Sequence, residues 1–213
     1  MSEDRSWFAP IVQLAEFGGP VLVILLIVSV LTGALILLKI GQYQLQGVGR
    51  RKRLQEALDY LDAGDEKAAA DALSRSSHFL APVVKMGMKL RVRPSFNQRL
   101  ESEAEKRFAA LEGGFRILDT VAQLAPLLGL LGTVIGMIEA FQALQEAGSQ
   151  VDPSDLAGGI WVALMTTAAG LSVAMPTSIA LSWFEARVDT ERAFAEYAFA
   201  TLATPAGSAK DGA

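Results

Sequence analysis

This sequence has no cysteine and a single histidine, His78. The first absence excludes disulfides, thiolate nucleophiles and cysteine metal sites, and a lone imidazole has no second histidine with which to build a ligand cluster. No metal or organic cofactor is therefore expected, and without paired carboxylates or a histidine cluster the chain is not expected to be an enzyme. Charge is missing as well, over three long stretches: Gly18 to Leu38, Thr120 to Ile138 and Leu156 to Phe184 contain no Asp, Glu, Lys or Arg. Each is at least as long as the roughly 18 residues that mark a membrane-spanning helix. With 51% hydrophobic residues and a mean hydropathy of +0.32, the chain reads as an all-α membrane protein. Three transmembrane helices are expected, with long cytoplasmic helical extensions. The first apolar run is longer than the core of a secretory signal, and its basic cluster follows it, so it is expected to be retained.

The charges that are present fall unevenly. Arg50-Arg51-Lys52-Arg53 and then Lys67, Arg75, Lys85, Lys89, Arg91, Arg93, Arg99, Lys106 and Arg107 lie between the first and second spans, whereas the connection from Ala147 to Asp155 has Asp152 and Asp155 and no base. The positive-inside rule then puts the long segment in the cytoplasm, the N-terminus outside and the C-terminus inside. The expected divisions are an interfacial segment 1–17, spans at 18–40, 116–145 and 156–184, a cytoplasmic helical domain 41–115, an external loop 146–155, a cytoplasmic helix 185–204 and a flexible tail 205–213. Trp7, Phe8 and Phe17 suit the interface, and Gly18-Gly19-Pro20 marks a turn into the bilayer.

Within the cytoplasmic segment, Leu54, Ala57, Leu58 and Leu61 share one helical face that Gly64 ends, and Ser76 to Arg93 reads as a shorter helix containing Pro82. Ser95 and Gln98 form a capping-box pattern. From there Leu100, Ala104, Phe108, Leu111, Phe115 and Leu118 predict one helix running into span two, on the order of 70 Å long from Ser95 to the early 140s. Phe184, Val188, Ala195, Phe199 and Leu202 form a comparable stripe after span three, so the two extensions are expected to pack as a bundle. The basic cluster at Arg50 to Arg53 reads as a topology determinant in contact with lipid headgroups. Acids follow it closely and no aromatic platform accompanies it, which argues against nucleic-acid binding.

The spans differ in what they carry. Span one is Val, Leu and Ile nearly throughout and reads as a lipid-facing anchor. Span two sets Gly129 one turn from Thr133 and Gly132 one turn from Gly136, and span three has Ala163, Thr166, Thr167, Gly170, Ala174 and Ser178. Ridges of small residues let helices approach closely where lipid offers no hydrophobic drive for their association. Each threonine hydroxyl either bonds the carbonyl one turn back and serves packing, or lines a wet path for a cation. Pro126 and Pro176 free carbonyls on the inner halves, which favours the second reading. No ionisable residue lies inside any span, so a complete relay would need a carboxylate from elsewhere. Glu139 sits at the outer mouth, either as a solvated acid or as an attractor of cations.

The stretch Leu124-Ala-Pro-Leu-Leu-Gly-Leu-Leu-Gly-Thr-Val-Ile-Gly-Met137, with Phe141, and the stretch Leu156 to Pro176 together resemble the MotA/TolQ/ExbB proton-channel family, most closely its ExbB and TolQ branch. The resemblance implies a homo-oligomer, a pentamer, around the single spans of an ExbD/TolR-like partner that supplies a membrane aspartate as ion carrier. It also implies a TonB/TolA-like periplasm-spanning protein and an ion-driven motor in the bacterial inner membrane, energising outer-membrane transport, with envelope maintenance and motility as alternative tasks. Carried over by position, the ion pathway is lined by Thr133 and Thr167, with Thr166 beside them. The packing wall is Gly129, Gly132, Gly136, Ala163, Gly170, Pro126 and Pro176. Where many ExbB and TolQ proteins have a glutamate early in span three, this chain has Val162 in Gly159-Ile160-Trp161-Val162-Ala163-Leu164. An apolar Val162 passes no proton, which leaves sodium as the alternative to the proton. A non-conducting membrane scaffold is the reading from a different class.

Overall fold

The computed structural model describes residues 9–90, 96–147 and 153–205. Among them there are seven helices and no strand: α1 (Ala9–Leu45), α2 (Lys52–Asp62), α3 (Glu66–Ser74), α4 (Ala81–Leu90), α5 (Phe96–Glu112), α6 (Phe115–Ala147) and α7 (Pro153–Ala203). Three helical stretches are long and apolar enough to cross a membrane. The chain is an all-α membrane protein. The expectations for Trp7 and Phe8, the capping box at Ser95, Asp152 and the tail beyond Pro205 lie outside the described residues.

The fold divides into two compact units, one built from the chain up to Leu37 together with Gly114–Ser182, the other from Leu38–Gly113 together with the chain from Trp183. In the first unit α1, α6 and α7 share a core in which Val21 and Leu25 of α1 pack with Ala125 of α6 and Val173 and Ala174 of α7. The helix is broken at Gly19, whose φ of 65° and ψ of −174° suit glycine alone, and Pro20 then opens the apolar part of α1. Span one is therefore not a purely lipid-facing anchor. One stripe, Val21, Leu25, Val28 and Thr32, turns inward while Val30, Leu31 and Leu37 are exposed. Small residues at 125 and 174 leave the hollow that Leu25 fills.

The long helix expected from Ser95 into span two is two helices. Gly113 and Gly114 separate α5 from α6, and Gly114 has a φ of 91°, a left-handed conformation in which an L side chain is strained. The last carbonyls of α5 are capped by side chains of α1: Lys39 Nζ donates to Leu111 O at 2.7 Å, and Gln42 Nε2 donates to Ala110 O at 3.1 Å. A buried cation at a helix C-terminus is favoured by the helix dipole, and it satisfies acceptors that have no intrahelical partner.

The second unit is a bundle of short helices around the C-terminal part of α7. Leu54, Ala57, Leu58 and Leu61 of α2 are buried, and Gly64 ends that helix region with a φ of 85°. The sequence reading missed α3. Its start is nevertheless written in the chain, because Asp65 Oδ1 accepts from the N–H of Ala68 at 2.9 Å and Glu66 follows in the first turn. Arg192 of α7 reaches Glu105 at 2.6 Å and Glu112 at 2.7 Å and lies 4.6 Å over the ring of Phe108, pinning α5 to α7.

At the centre of this unit is a charge cluster. The α7 positions Phe184, Val188, Glu191, Ala195, Ala198 and Leu202 alternate by four and three and are all buried, so the one acid among them is enclosed. Glu191 has no exposed side-chain surface; Arg51 lies 3.1 Å from its Oε1 and His78 Nε2 is 3.0 Å from its Oε2. The N–H of Leu80 donates to His78 Nδ1 at 3.2 Å, which leaves Nε2 as the protonated nitrogen of the neutral ring, donating to Glu191. Burial alone would raise the Glu191 carboxyl, yet the hydrogen bonds from His78 and Arg51 outweigh it and hold it below the ordinary carboxylate range.

Removing one member of such a buried set strands the others, so Glu191→Ala should destabilise the fold by about 3 to 5 kcal/mol, read by denaturant or thermal unfolding in detergent. A depressed carboxyl contributes stability that is present above its unfolded pKa, about 4.3, and is lost as pH falls through the lower folded value. The melting temperature should accordingly drop with acidification across that window. Glu191→Gln should flatten that dependence.

Candidate functional site

In the first unit α6 and α7 meet along a seam of glycines whose spacing follows the helical repeat. A Cβ built on Gly129 would lie 2.8 Å from Thr166 O, one on Gly132 would lie 2.5 Å from Thr166 Oγ1, and one on Gly170 would lie 2.5 Å from Ala125 O. Farther along, Gly136 faces Ala163 at 3.3 Å and Gly159 faces Ala140 at 2.6 Å. The pairs run in opposite directions along the two helices, as antiparallel spans require. Backbone approaches backbone here, and any side chain at these glycines would part the helices.

The seam holds Thr166 and Thr167, with Thr133 one turn along. Thr166 is 1% exposed and fills the notch over Gly132; its Oγ1 lies 2.7 Å from Ala163 O, one turn back, and 3.2 Å from Gly129 O across the seam. Thr167 is half-buried and its Oγ1 donates to the same Gly129 carbonyl at 3.3 Å. Thr133 is also half-buried and donates within its own helix, to Leu130 O at 2.7 Å. The structure thus converges Thr166 and Thr167 on Gly129 O, and sets Thr133 one turn along α6 from that carbonyl with no hydrogen bond to Thr167. Pro126 and Pro176 lie inside α6 and α7, where each deprives a carbonyl four residues back of its helical donor. Those carbonyls are Ala122 O and Ser172 O. Val162 is half-buried on α7, and Glu139 is exposed in the C-terminal part of α6.

The arrangement can pack two helices tightly, and it can present oxygen atoms to a small cation. It contains no group able to carry a charge by itself. Among the described residues no cluster of three or more His, Asp or Glu could hold a metal ion. The residues missed by sequence reasoning are Arg51, His78 and Glu191 in the second unit. The interruption of an apolar heptad by Glu191 was the available signal.

Three apolar helices, two of them joined along a glycine and threonine seam that offers only hydroxyls and carbonyls, define a multi-pass, all-α membrane protein. The chain belongs to the MotA/TolQ/ExbB proton channel family, whose pattern it matches over residues 75–196. It is 32% identical to the biopolymer transport protein exbB1 of Vibrio cholerae over 160 residues, which cover 71% of this chain and 69% of that protein. It is 46% identical over 83 residues to an ExbB-like biopolymer transport protein of Synechocystis, covering 38% of this chain and 33% of that one. The Tol-Pal system protein TolQ of Haemophilus influenzae is 39% identical over 84 residues, covering 39% and 36%. The chain thus spans about a third of the length of two of these relatives and two thirds of the third.

The notch geometry sets an order of tolerance. Gly170→Ala meets a backbone carbonyl that cannot move aside, whereas Gly132→Ala meets the Thr166 side chain. Each should lower stability by about 1 to 3 kcal/mol, the usual range for overpacking. Adding Thr166→Gly should recover much of the loss in Gly132→Ala and none in Gly170→Ala, as followed by thermal melting of the purified protein in detergent.

Proposed function

We propose that this chain is the channel-forming subunit of an ExbB-type inner-membrane motor, with the N-terminus periplasmic and the C-terminus cytoplasmic, that uses the proton gradient to energise outer-membrane transport. Several copies, five on the family pattern, surround the single spans of an ExbD/TolR-like partner. The membrane aspartate of that partner carries the ion past Thr133 and Thr167, and a TonB/TolA-like protein receives the motion. The observation that supports this reading is the convergence of hydroxyls on Gly129 O within a seam that has no carboxylate of its own. Such oxygen atoms solvate a passing cation and leave its carriage to another chain. Glu139 is placed to raise the local cation concentration at the outer mouth.

The ion is proposed to be the proton. Sodium is the alternative, since Val162 offers no proton relay where the family pattern often has glutamate. A second reading, a non-conducting scaffold, is favoured by the internal hydrogen bonds of Thr133 and Thr166, which leave neither hydroxyl hydrogen in need of a partner.

The test is co-reconstitution of the full chain with its single-span partner in liposomes carrying an imposed pH or sodium gradient. The complex should dissipate one of the two gradients. Thr133→Val and Thr167→Val should each slow that dissipation about tenfold or more while the complex still assembles, and Thr133→Ser should retain it. Full flux in both valine variants would remove the threonines from the path. An assembled complex that passes neither ion would support the scaffold.

A further inference from the structure

The second unit carries a cavity of about 690 Å³ that the proposed ion path does not use. It lies between the turn after α1, the segment joining α3 to α4, and α5, and its lining includes Gln46, Ser74, Ser76, Ser77, Lys85 and Arg107. No acidic residue lines it. Two cationic side chains, the Ser76 and Ser77 hydroxyls and an amide form one donor-rich wall, the Ser74 proton being donated to Asp71 O at 2.7 Å, and Phe79, Pro82 and Ala110 form an apolar one.

Arg107 is held at the rim by donating Nη1 to Phe79 O at 3.0 Å, and its Nε is buried without an acceptor. The nearest acid is Glu103, 3.7 Å from Arg107 Nη2 and shared with Lys106 at 3.6 Å, so Arg107 is only loosely neutralised. Lys85 is exposed on α4 and makes no ion pair among the described residues. Ser76 Oγ accepts from the N–H of His78 at 3.3 Å, which leaves its own proton free to donate.

We infer that this cavity is a binding site for a phosphate group borne on a larger body, and specifically for the headgroup of an acidic phospholipid. A phosphate group pairs with the Arg107 and Lys85 charges and accepts from the Ser76 and Ser77 hydroxyls, while the apolar wall takes the glycerol or headgroup carbons. The membrane as source follows from α1. Its uncharged run ends at Leu38, and Gln46 comes eight residues later, about 12 Å along a helix and within roughly a Debye length of the headgroup phosphates. Exposed Arg50, Lys52 and Arg53 follow immediately and add to the attraction for an acidic leaflet.

Native mass spectrometry of the purified full chain, titrated with phosphatidylglycerol or phosphatidylcholine, tests this. Wild type should hold phosphatidylglycerol at about tenfold lower concentration than phosphatidylcholine, and Lys85→Glu should abolish that preference. Lys85 is exposed, so the variant should fold. Arg107→Gln, checked for an unchanged melting profile, should act in the same direction. In parallel, millimolar inorganic phosphate added to lipid-depleted protein reports on a soluble source. If phosphate raises the melting temperature of wild type but not of Lys85→Glu, and no lipid preference appears, the phosphate site stands and its ligand is a soluble phosphate. A phosphatidylglycerol preference that survives both substitutions would place the lipid elsewhere and overturn the assignment. So would equal binding of the two lipids together with no effect of phosphate.

Discussion

The close contact of α6 with α7 is the constraint on which the rest of the first unit depends. In lipid there is no water to expel, so helices stay together through dispersion at short range and through hydrogen bonds made where an unpaired group would be costly. Gly129, Gly132 and Gly170 bring the backbones to a distance at which a methyl group would strike a carbonyl or a hydroxyl. That approach in turn puts Thr166 and Thr167 within reach of Gly129 O. The glycines and the threonines are therefore one device. Remove the small residues and the hydroxyls lose their partner across the seam; remove the hydroxyls and the notch over Gly132 is left partly empty.

Polar groups are used differently in the two units. In the first the buried ones are neutral, and Thr166 and Thr177 are satisfied by backbone carbonyls of α6 and α7. In the second, a full charge is buried at Glu191 and met by both Arg51 and His78, while the half-exposed Arg192 is met by Glu105 and Glu112. A buried carboxylate is tolerated only when its desolvation is offset by direct hydrogen bonds from cations or N–H groups. The Leu80 N–H behind His78 shows how far the offset is organised, because it fixes which imidazole nitrogen faces the acid. Such a set fixes the register of α7 against the segments that contribute Arg51 and His78, since a slip by one residue would leave Glu191 in an apolar layer.

The spans were legible in the sequence because absence of charge over 18 or more residues is a strong signal in itself, and the seam was legible because glycine and threonine recur at helical spacing. Two adjacent glycines were not read as a break, since the stripe from Leu100 to Leu118 continues in phase across Gly113 and Gly114 and periodicity alone cannot register a positive φ. Helix α3 was passed over because its apolar face is mostly alanine, which gives a weak periodic signal beside leucine. His78 looked solitary because its partners lie far along the chain: Glu191 is 113 residues away. Long-range pairing of charges leaves no local pattern, although an acid placed in phase with Phe184, Val188, Ala195 and Leu202 was a departure from amphipathic order that could have been followed.

A hydroxyl that donates to a carbonyl still has lone pairs to offer, and the donation polarises its O–H bond so that its oxygen becomes a better acceptor. Thr133 and Thr167 can therefore keep their structural hydrogen bonds and coordinate a cation at once, so the packing role and the conducting role of these residues do not compete. What they cannot do is hold a net charge at depth. With Val162 where a carboxylate could have stood, and with no Asp or Glu between Thr120 and Ile138 or between Leu156 and Phe184, the electrostatic cost of an ion in this seam has no compensation within the chain. On the proposed reading that compensation comes from a carboxylate on another helix. The exposed outer face of α6, with Leu127, Leu131 and Val134, is uncharged, so a neighbouring helix can approach it without burying a like charge.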